Sequence, residues 1–290
     1  MQAATPPNNL TAKDRIEQLR GIMQRSGIEA WIVHISDPHM SEYVPDRWQG
    51  LKWLTGFTGS AGTLVVCQHA AALWTDGRYF LQADKQLAGS GIQLMRDGQP
   101  GTPSMVDFLG QQLPAGARVG CDAQCISMQA ARRLEQQLKD AGLVFQAGRD
   151  LLDKIWLDRP GLPAQPLWQF PDELDGSSLP QRLAQLRLHL QRDGHDALLL
   201  SNLADIAWLL GFRGRDIECN PVALAYLLVA AEQPPELFLC QAARNSAAFL
   251  AEQGVSLRDY ADIFARLADL PAGLVLQLDP TSCSLASVQA

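Results

Sequence analysis

The chain writes one plan twice, and that repetition limits what it can fold into. Arg15 to Ala30, laid on Arg182 to Ala197, agrees at Arg15/Arg182, Gln18/Gln185, Leu19/Leu186, Arg20/Arg187, Gln24/Gln191, Arg25/Arg192, Gly27/Gly194 and Ala30/Ala197. A second echo sets Trp53-Leu54-Thr55-Gly56-Phe57 against Trp208-Leu209-Leu210-Gly211-Phe212. Helix patterning alone does not demand the same arginines and glycines. At this spacing the repeat is a duplicated domain and not a solenoid. A length of 290 residues accommodates two domains, because a single core stops growing near ~250–300 residues.

Each copy opens the same way. Thr11 is placed to cap a helix reaching about Arg25, with Ile16, Leu19, Ile22 and Met23 on one face. Ser26-Gly27 stops it, and Ala30 to Ile35 follows as a buried strand; residues 180–200 repeat the pattern. Further strands are expected near 62–67, 70–74, 92–95, 117–121 and 143–146, alternating with helices near 79–88, 104–113 and 127–141. The second half continues with a helix at 203–210 and strands near 222–230, 236–240 and 274–278, separated by helices near 241–252 and 261–269. Such alternation predicts an α/β fold, two similar domains each built as a mixed sheet flanked by helices. The expected division is a first domain over 1–150, a Pro-rich linker over 151–179 and a second domain over 180–290. The stretch from Asp279 to Ala290 reads as ragged, as though the last elements of a C-terminally truncated domain were cut away.

A net charge of −7 argues against nucleic acid or an anionic membrane as partner. Met1 to Leu10 has neither the basic nor the apolar region of a secretory signal. No apolar run approaches the ~20 residues of a membrane helix. Cys67, Cys121, Cys125, Cys219, Cys240 and Cys283 are scattered through apolar surroundings, which predicts buried, reduced thiols in a cytoplasmic protein. Cys121 and Cys125 lack the second Cys or His pair of a zinc site, so a structural role is expected of them.

Three motif blocks stand out between residues 37 and 80: Asp37-Pro38-His39-Met40-Ser41-Glu42-Tyr43, Gly56-Phe57-Thr58-Gly59-Ser60-Ala61-Gly62-Thr63, and Trp74-Thr75-Asp76-Gly77-Arg78-Tyr79-Phe80 running on to Ala83. In the third, Asp76 is expected to cap the following helix, leaving Arg78 at a strand-to-helix corner, where α/β sheets present ligand-contacting groups. Its guanidinium suits a carboxylate or peptide carbonyl through two parallel hydrogen bonds; the competing reading is a surface ion pair with Asp76 or Glu42. The glycine spacing is not that of a nucleotide loop and no Gly-Lys-Ser/Thr follows, so close backbone approach and positive φ explain Gly56, Gly59 and Gly62 better.

Further along, Arg213 to Val222 places two arginines beside Asp216 and Glu218, expected to form a turn with internal ion pairs at a domain or subunit junction. An acid–base role for Asp216 and Glu218 is the rival there. Histidines 34, 39, 69, 189 and 195 show no metal spacing, the seven tryptophans read as core or junction aromatics, and no Ser-His-Asp order can be defended. The chain contains no complete catalytic constellation.

The three blocks, with Asp205-Ile206-Ala207-Trp208-Leu209, the loop Arg213 to Val222 and Asp153-Lys154-Ile155-Trp156-Leu157-Asp158-Arg159-Pro160, resemble the long, three-domain Xaa-Pro aminopeptidases (aminopeptidase P, creatinase-like fold). The likeness runs from about Asp14 to Leu239 and grows vague after 240. It implies two creatinase-like N-terminal domains of an enzyme that releases the residue before a proline in second position. It also implies two divalent metals, manganese by family habit, held by two Asp, one His and two Glu of a C-terminal catalytic domain outside this chain; carboxylate-rich ligation suits Mn²⁺, and paired metals activate water. On this resemblance the chain alone is inactive, holds no metal, shapes the substrate entrance, and uses Arg78 to reach the peptide. Related enzymes are often dimers through their catalytic domains, so a homodimer is left open. Two rivals stand: a stand-alone peptide- or protein-binding module without activity, and a degenerate fragment.

Overall fold

The computed structural model of the chain describes residues 10–163 and 165–290. They divide into two compact units, one over residues 10–35, 49–122 and 133–159, the other over residues 36–48, 123–132, 160–163 and 165–290.

In the first unit, helix α1 (Ala12–Ser26) starts on a capping box. The Asp14 N–H donates to the Thr11 hydroxyl, and the Asp14 carboxylate accepts the Thr11 N–H at 2.9 Å. The helix ends on Gly27 at φ 63° and buries Ile16, Leu19, Ile22 and Met23. The strands are β1 (Ala30–His34), β2 (Thr63–Cys67), β3 (Ala71–Thr75), β4 (Gln93–Arg96), β5 (Arg118–Asp122) and β6 (Val144–Gly148), in sheet order β4-β3-β2-β1-β5-β6. β2 runs antiparallel to both β1 and β3, while β3–β4, β1–β5 and β5–β6 are parallel. Helices α2 (Gly50–Thr55), α3 (Phe80–Gln86) and α4 (Met105–Gln112) connect them, with α5 (Met128–Asp140), of which the residues from Arg133 onward belong to this unit. Residues 151–159 pack against this unit: Trp156 stacks on Trp53 at 5.1 Å between centroids, and Arg159 pairs with Asp150 and Asp153.

The second unit holds a two-stranded ribbon, β7 (Trp168–Gln169) with β9 (Phe212–Arg213), and a five-stranded sheet. The sheet comprises β8 (Ala197–Leu200), β10 (Ala225–Ala230), β11 (Glu236–Leu239), β12 (Ser256–Asp259) and β13 (Leu276–Leu278), ordered β12-β11-β10-β8-β13. Its strand directions repeat those of the first sheet, ending at the strand equivalent to β5. The helices are α6 (Asp172–Asp175), α7 (Leu179–Asp193), α8 (Leu203–Leu210), α9 (Gln241–Asn245), α10 (Ala248–Glu252), α11 (Ile263–Ala268) and α12 (Leu285–Gln289).

The repeated residues do repeated work. Arg15 Nη1 donates to the Trp53 carbonyl at the end of α2, and Arg182 Nε to the Leu209 carbonyl at the end of α8 at 2.9 Å. Arg20 Nε donates to the last carbonyl of β2, that of Cys67, and Arg187 Nε to the last of β10, that of Ala230. Gly56 and Gly211 end α2 and α8 at φ 75° and 67°. Phe57 and Phe212, which follow, are fully buried.

Three expectations are corrected. The helix over 241–252 is two, because the Ser246 hydroxyl turns back to the Ala243 carbonyl at 2.8 Å while accepting the Leu167 N–H at 2.7 Å. β12 lies where no strand was expected: Ser-Leu-Arg-Asp is an edge strand with no apolar run. The stretch from Asp279 is ordered, with Cys283 and Ser284 fully buried. Ser284 stands opposite Ser127 in an antiparallel bridge. Around it, Met128 N–H donates to the Cys283 carbonyl and Leu285 N–H to that of Ile126, both at 2.9 Å.

Candidate functional site

The Arg78 corner lies in the first unit, at the C-terminal end of β3. Asp76 accepts a backbone N–H, as expected, but that of Arg78 at 3.0 Å; α3 starts later, after Tyr79, so the bond closes a turn and does not cap the helix. The same carboxylate takes the side fork of the guanidinium, Nε to Oδ1 at 2.9 Å and Nη2 to Oδ2 at 2.7 Å. The arginine is 67 % exposed in its side chain, and its guanidinium carbon lies 5.2 Å from the Tyr79 ring centre. Hydrogen bonding to Arg78 holds the Asp76 carboxyl below its ordinary range, and the same bond raises Arg78. Asp76 thus fixes the plane of the guanidinium and occupies one edge. Nη1 makes no hydrogen bond among the described residues, and with the second hydrogen of Nη2 it leaves the outer edge of the fork able to take one carbonyl or carboxylate group.

The glycine-rich loop is stitched to this corner. Ser60 Oγ and Tyr79 Oη share a hydrogen bond of 2.6 Å, which lowers the Tyr79 hydroxyl's pKa, and Gln82 and Gln86 both donate to the Thr58 hydroxyl. Thr75 Oγ1 donates to the Ala61 carbonyl at 2.6 Å. A Cβ at Gly59 would stand 2.3 Å from the Phe57 ring and 2.9 Å from the Tyr79 ring; one at Gly62 would stand 3.2 Å from the Trp74 carbonyl oxygen. The glycines therefore serve close approach, with no phosphate cradle. The Ser60–Tyr79 pair spans 19 residues, and nothing local in the sequence announces it.

The Asp37-Pro38-His39 block, in the second unit, is not a surface motif. Asp37 and His39 are buried. His39 Nδ1 lies 2.8 Å from the Ser201 carbonyl oxygen, which can only accept, so this nitrogen carries the proton. Nε2 lies 2.8 Å from Tyr260 Oη. Burial drives the His39 pKa down, partly opposed by the charge of Asp37.

Asp216 and Glu218 do not form an acid–base pair. Asp216 is buried and accepts backbone N–H groups of Gln165 and Leu224 at 2.8 and 2.9 Å, with burial raising its pKa; Glu218 is exposed. Nor does this loop form the internal ion pairs expected of it among the described residues. Arg213 lies over the Phe170 ring at 4.1 Å and Arg215 over Trp168 at 5.3 Å. None of the six cysteines forms a disulfide; Cys67, Cys121, Cys240 and Cys283 are buried, Cys125 half-buried, and Cys219 is exposed at φ 62°, against expectation. Among the described residues no three His, Cys, Asp or Glu side chains gather as metal ligands, and no helix is long and apolar enough to cross a membrane.

Comparison with known proteins matches the creatinase/prolidase N-terminal domain model twice, over residues 15–154 and 158–290. Aminopeptidase P2 of Arabidopsis thaliana is 38% identical over 268 residues, covering 90% of this chain and 38% of that protein. A probable Xaa-Pro aminopeptidase P of Coprinopsis cinerea is 34% identical, covering 91% of this chain and 43% of that protein. The crystal structure of X-prolyl aminopeptidase from Caenorhabditis elegans, described as a cytosolic enzyme with a di-nuclear active site, superposes with a TM-score of 0.86 at 31% identity. It covers 96% of this chain and 48% of that one. The chain thus spans less than half the length of these relatives.

Proposed function

Because the chain belongs to the creatinase/prolidase N-terminal domain family, twice over, we propose that it is the non-catalytic N-terminal portion of a metal-dependent, cytoplasmic Xaa-Pro aminopeptidase. Its part there is to shape the substrate entrance and to hold the peptide through Arg78. The observation that carries this reading is the corner itself. A guanidinium fixed by Asp76 on one edge offers its other edge to solvent at the end of a sheet strand, in a chain aligned along nine-tenths of its length with aminopeptidases.

A bond from Arg78 to a peptide carbonyl would act away from the scissile bond, where binding energy raises rate as well as affinity. Two divalent metals, manganese in this reading, would supply the water nucleophile in the catalytic domain. No donor set among the described residues of this chain suits such a pair, and no side chain is assigned to it.

Sequencing the gene beyond codon 290 tests the assignment. Continuation of the frame into a region with two Asp, one His and two Glu ligands supports it; a stop directly after Ala290 overturns it.

A further inference from the structure

The two sheets agree strand for strand until the last. Near their ends the sequence repeats itself: Leu113-Pro114-Ala115-Gly116 recurs as Leu270-Pro271-Ala272-Gly273, Asp122 as Asp279 and Ser127 as Ser284, at a constant offset of 157 residues (113 to 270, 127 to 284). The structure keeps that register. Ala117 N–H donates to the Pro114 carbonyl and Leu274 N–H to that of Pro271, both at 3.1 Å, after glycines at φ 80° and 88°. Arg118 N–H goes to the Glu29 carboxylate at 2.6 Å, and Val275 N–H to that of Asp196 at 2.7 Å. β5 lies parallel to β1 as β13 does to β8, with Val119 opposite Ala30 and Leu276 opposite Ala197. Beyond β5 stands β6; beyond β13 there is no strand among the described residues.

That difference leaves groups of the second unit unserved. In the first unit the turn into β6 is pinned twice: Gly116 N–H donates to the Gly142 carbonyl at 2.7 Å, and Val144 N–H to the Ala117 carbonyl at 2.9 Å. Their counterparts, the Gly273 N–H and the Leu274 carbonyl, have no main-chain partner among the described residues. The strand itself is open in the same way. Asp196 N–H donates to the Val275 carbonyl at 2.9 Å, so Val275 and Gln277 turn their main chain toward β8, and Leu276 and Leu278 turn theirs to the free edge. Val119 and Cys121, at the same places on β5, are 0% exposed, whereas Leu276 and Leu278 are only half-buried. A free edge with apolar residues on it is a template for another strand. The crossover toward it has begun, since Ser284 caps α12 as Ser127 caps α5.

We propose that β13 takes a sixth strand, parallel to it and supplied by the segment that follows α12 in the longer protein. This rests on reading the chain as the N-terminal portion of such a protein. The offset carries β6 (Val144–Gly148) to about residues 301–305. A parallel neighbour reached through a helix is the right-handed crossover of mixed sheets. A second copy of the chain brings no helix-linked turn to Gly273 and Leu274.

Amide exchange, read residue by residue by NMR, compares the 290-residue chain with one extended through its natural sequence to about residue 310. In the shorter chain the Leu276 and Leu278 amides should exchange freely; in the longer one they should slow by at least about a hundredfold. A proline two places beyond the counterpart of Val144 removes a main-chain donor to β13. It should restore fast exchange while the amides of β10 stay protected. Equal rates in the two chains overturn the proposal. So does protection already present in a dimeric short chain, which puts a second copy on the edge, or protection that the proline leaves intact. The enzyme reading fails separately: a frame that supplies the strand but no Asp, His and Glu ligand set after it keeps the strand and removes the aminopeptidase, whereas a stop after Ala290 removes both.

Discussion

Arg182 and Asp175 form an ion pair of 2.7 Å with almost no exposure, 2% and 7% of their side chains. The same arginine holds the carbonyls of Ser177 and Leu209 and lies over the Trp208 ring. It ties α6, α7 and α8 together with one side chain. Breaking a buried pair leaves an uncompensated charge, so Asp175→Ala should cost about 3–5 kcal/mol. Arg182→Lys should also destabilise, because an ammonium cannot reproduce the fork. Urea unfolding of the three proteins checks both; an Asp175→Ala midpoint equal to the parent's would refute the first.

The Arg78–Asp76 pair, being exposed, should behave oppositely. Arg78→Ala is expected to leave the thermal midpoint of the chain where it was. In the enzyme that carries the catalytic portion, the same change should lower kcat/KM for short Xaa-Pro peptides by roughly tenfold. Unchanged kcat/KM would remove Arg78 from the substrate.

Gly59 meets the rings of Phe57 and Tyr79 at distances no Cβ tolerates. Gly59→Ala should therefore destabilise the first unit by about 1–3 kcal/mol. Denaturant titration of the variant measures it, and tolerance without loss would show that the loop moves aside.

Stability should fall as the solution is acidified. Burial pushes His34 down to about 4, and His39 is lowered for the same reason. Between the unfolded histidine's ~6.5 and the folded value, the unfolded chain binds the extra proton, so stability rises with pH through that window and is lost on going down through it. For His34 the full loss is about 3 kcal/mol. Urea midpoints from pH 7 to 4.5 report it, and His34→Gln should flatten part of the slope.

Thiol labelling should separate the cysteines. Cys219 is exposed, while burial raises Cys67 and Cys240 to about 11 and pushes Cys121 and Cys283 up as well. Alkylation of the folded chain should modify Cys219 first and the four buried thiols only on unfolding. Peptide mapping that finds Cys67 or Cys121 labelled at the same rate would contradict the burial.

The paired domains were legible because α1 and α7 share arginines and glycines whose spacing no ordinary helix requires. The core strands were legible because their apolar runs are continuous. The remaining features lack a local pattern. β12 is short, charged and at an edge, where an apolar run is not needed. The burial of Asp37 was hidden because its carboxylate is served by N–H groups of its own turn; such a turn reads alike inside a protein or on its surface. The sequence carries a further repeat: Asp122 with Ser127-Met128, and Asp279 with Ser284-Leu285, have the same spacing. The two serines face each other, and each caps the helix that follows.

The acceptors that the repeated arginines have in common between the two units are main-chain carbonyls: Trp53 and Cys67 in one unit, Leu209 and Ala230 in the other. A carbonyl is present whatever residue carries it. After a gene duplication, the acceptor side of each contact could change its side chain freely without loosening the bond, and selection need act only on the donor. That asymmetry accounts for two copies that diverged almost everywhere yet kept Arg15/Arg182 and Arg20/Arg187. It also suggests where to look for older duplications: at long donors aimed at the ends of strands and helices, ahead of the cores those elements enclose.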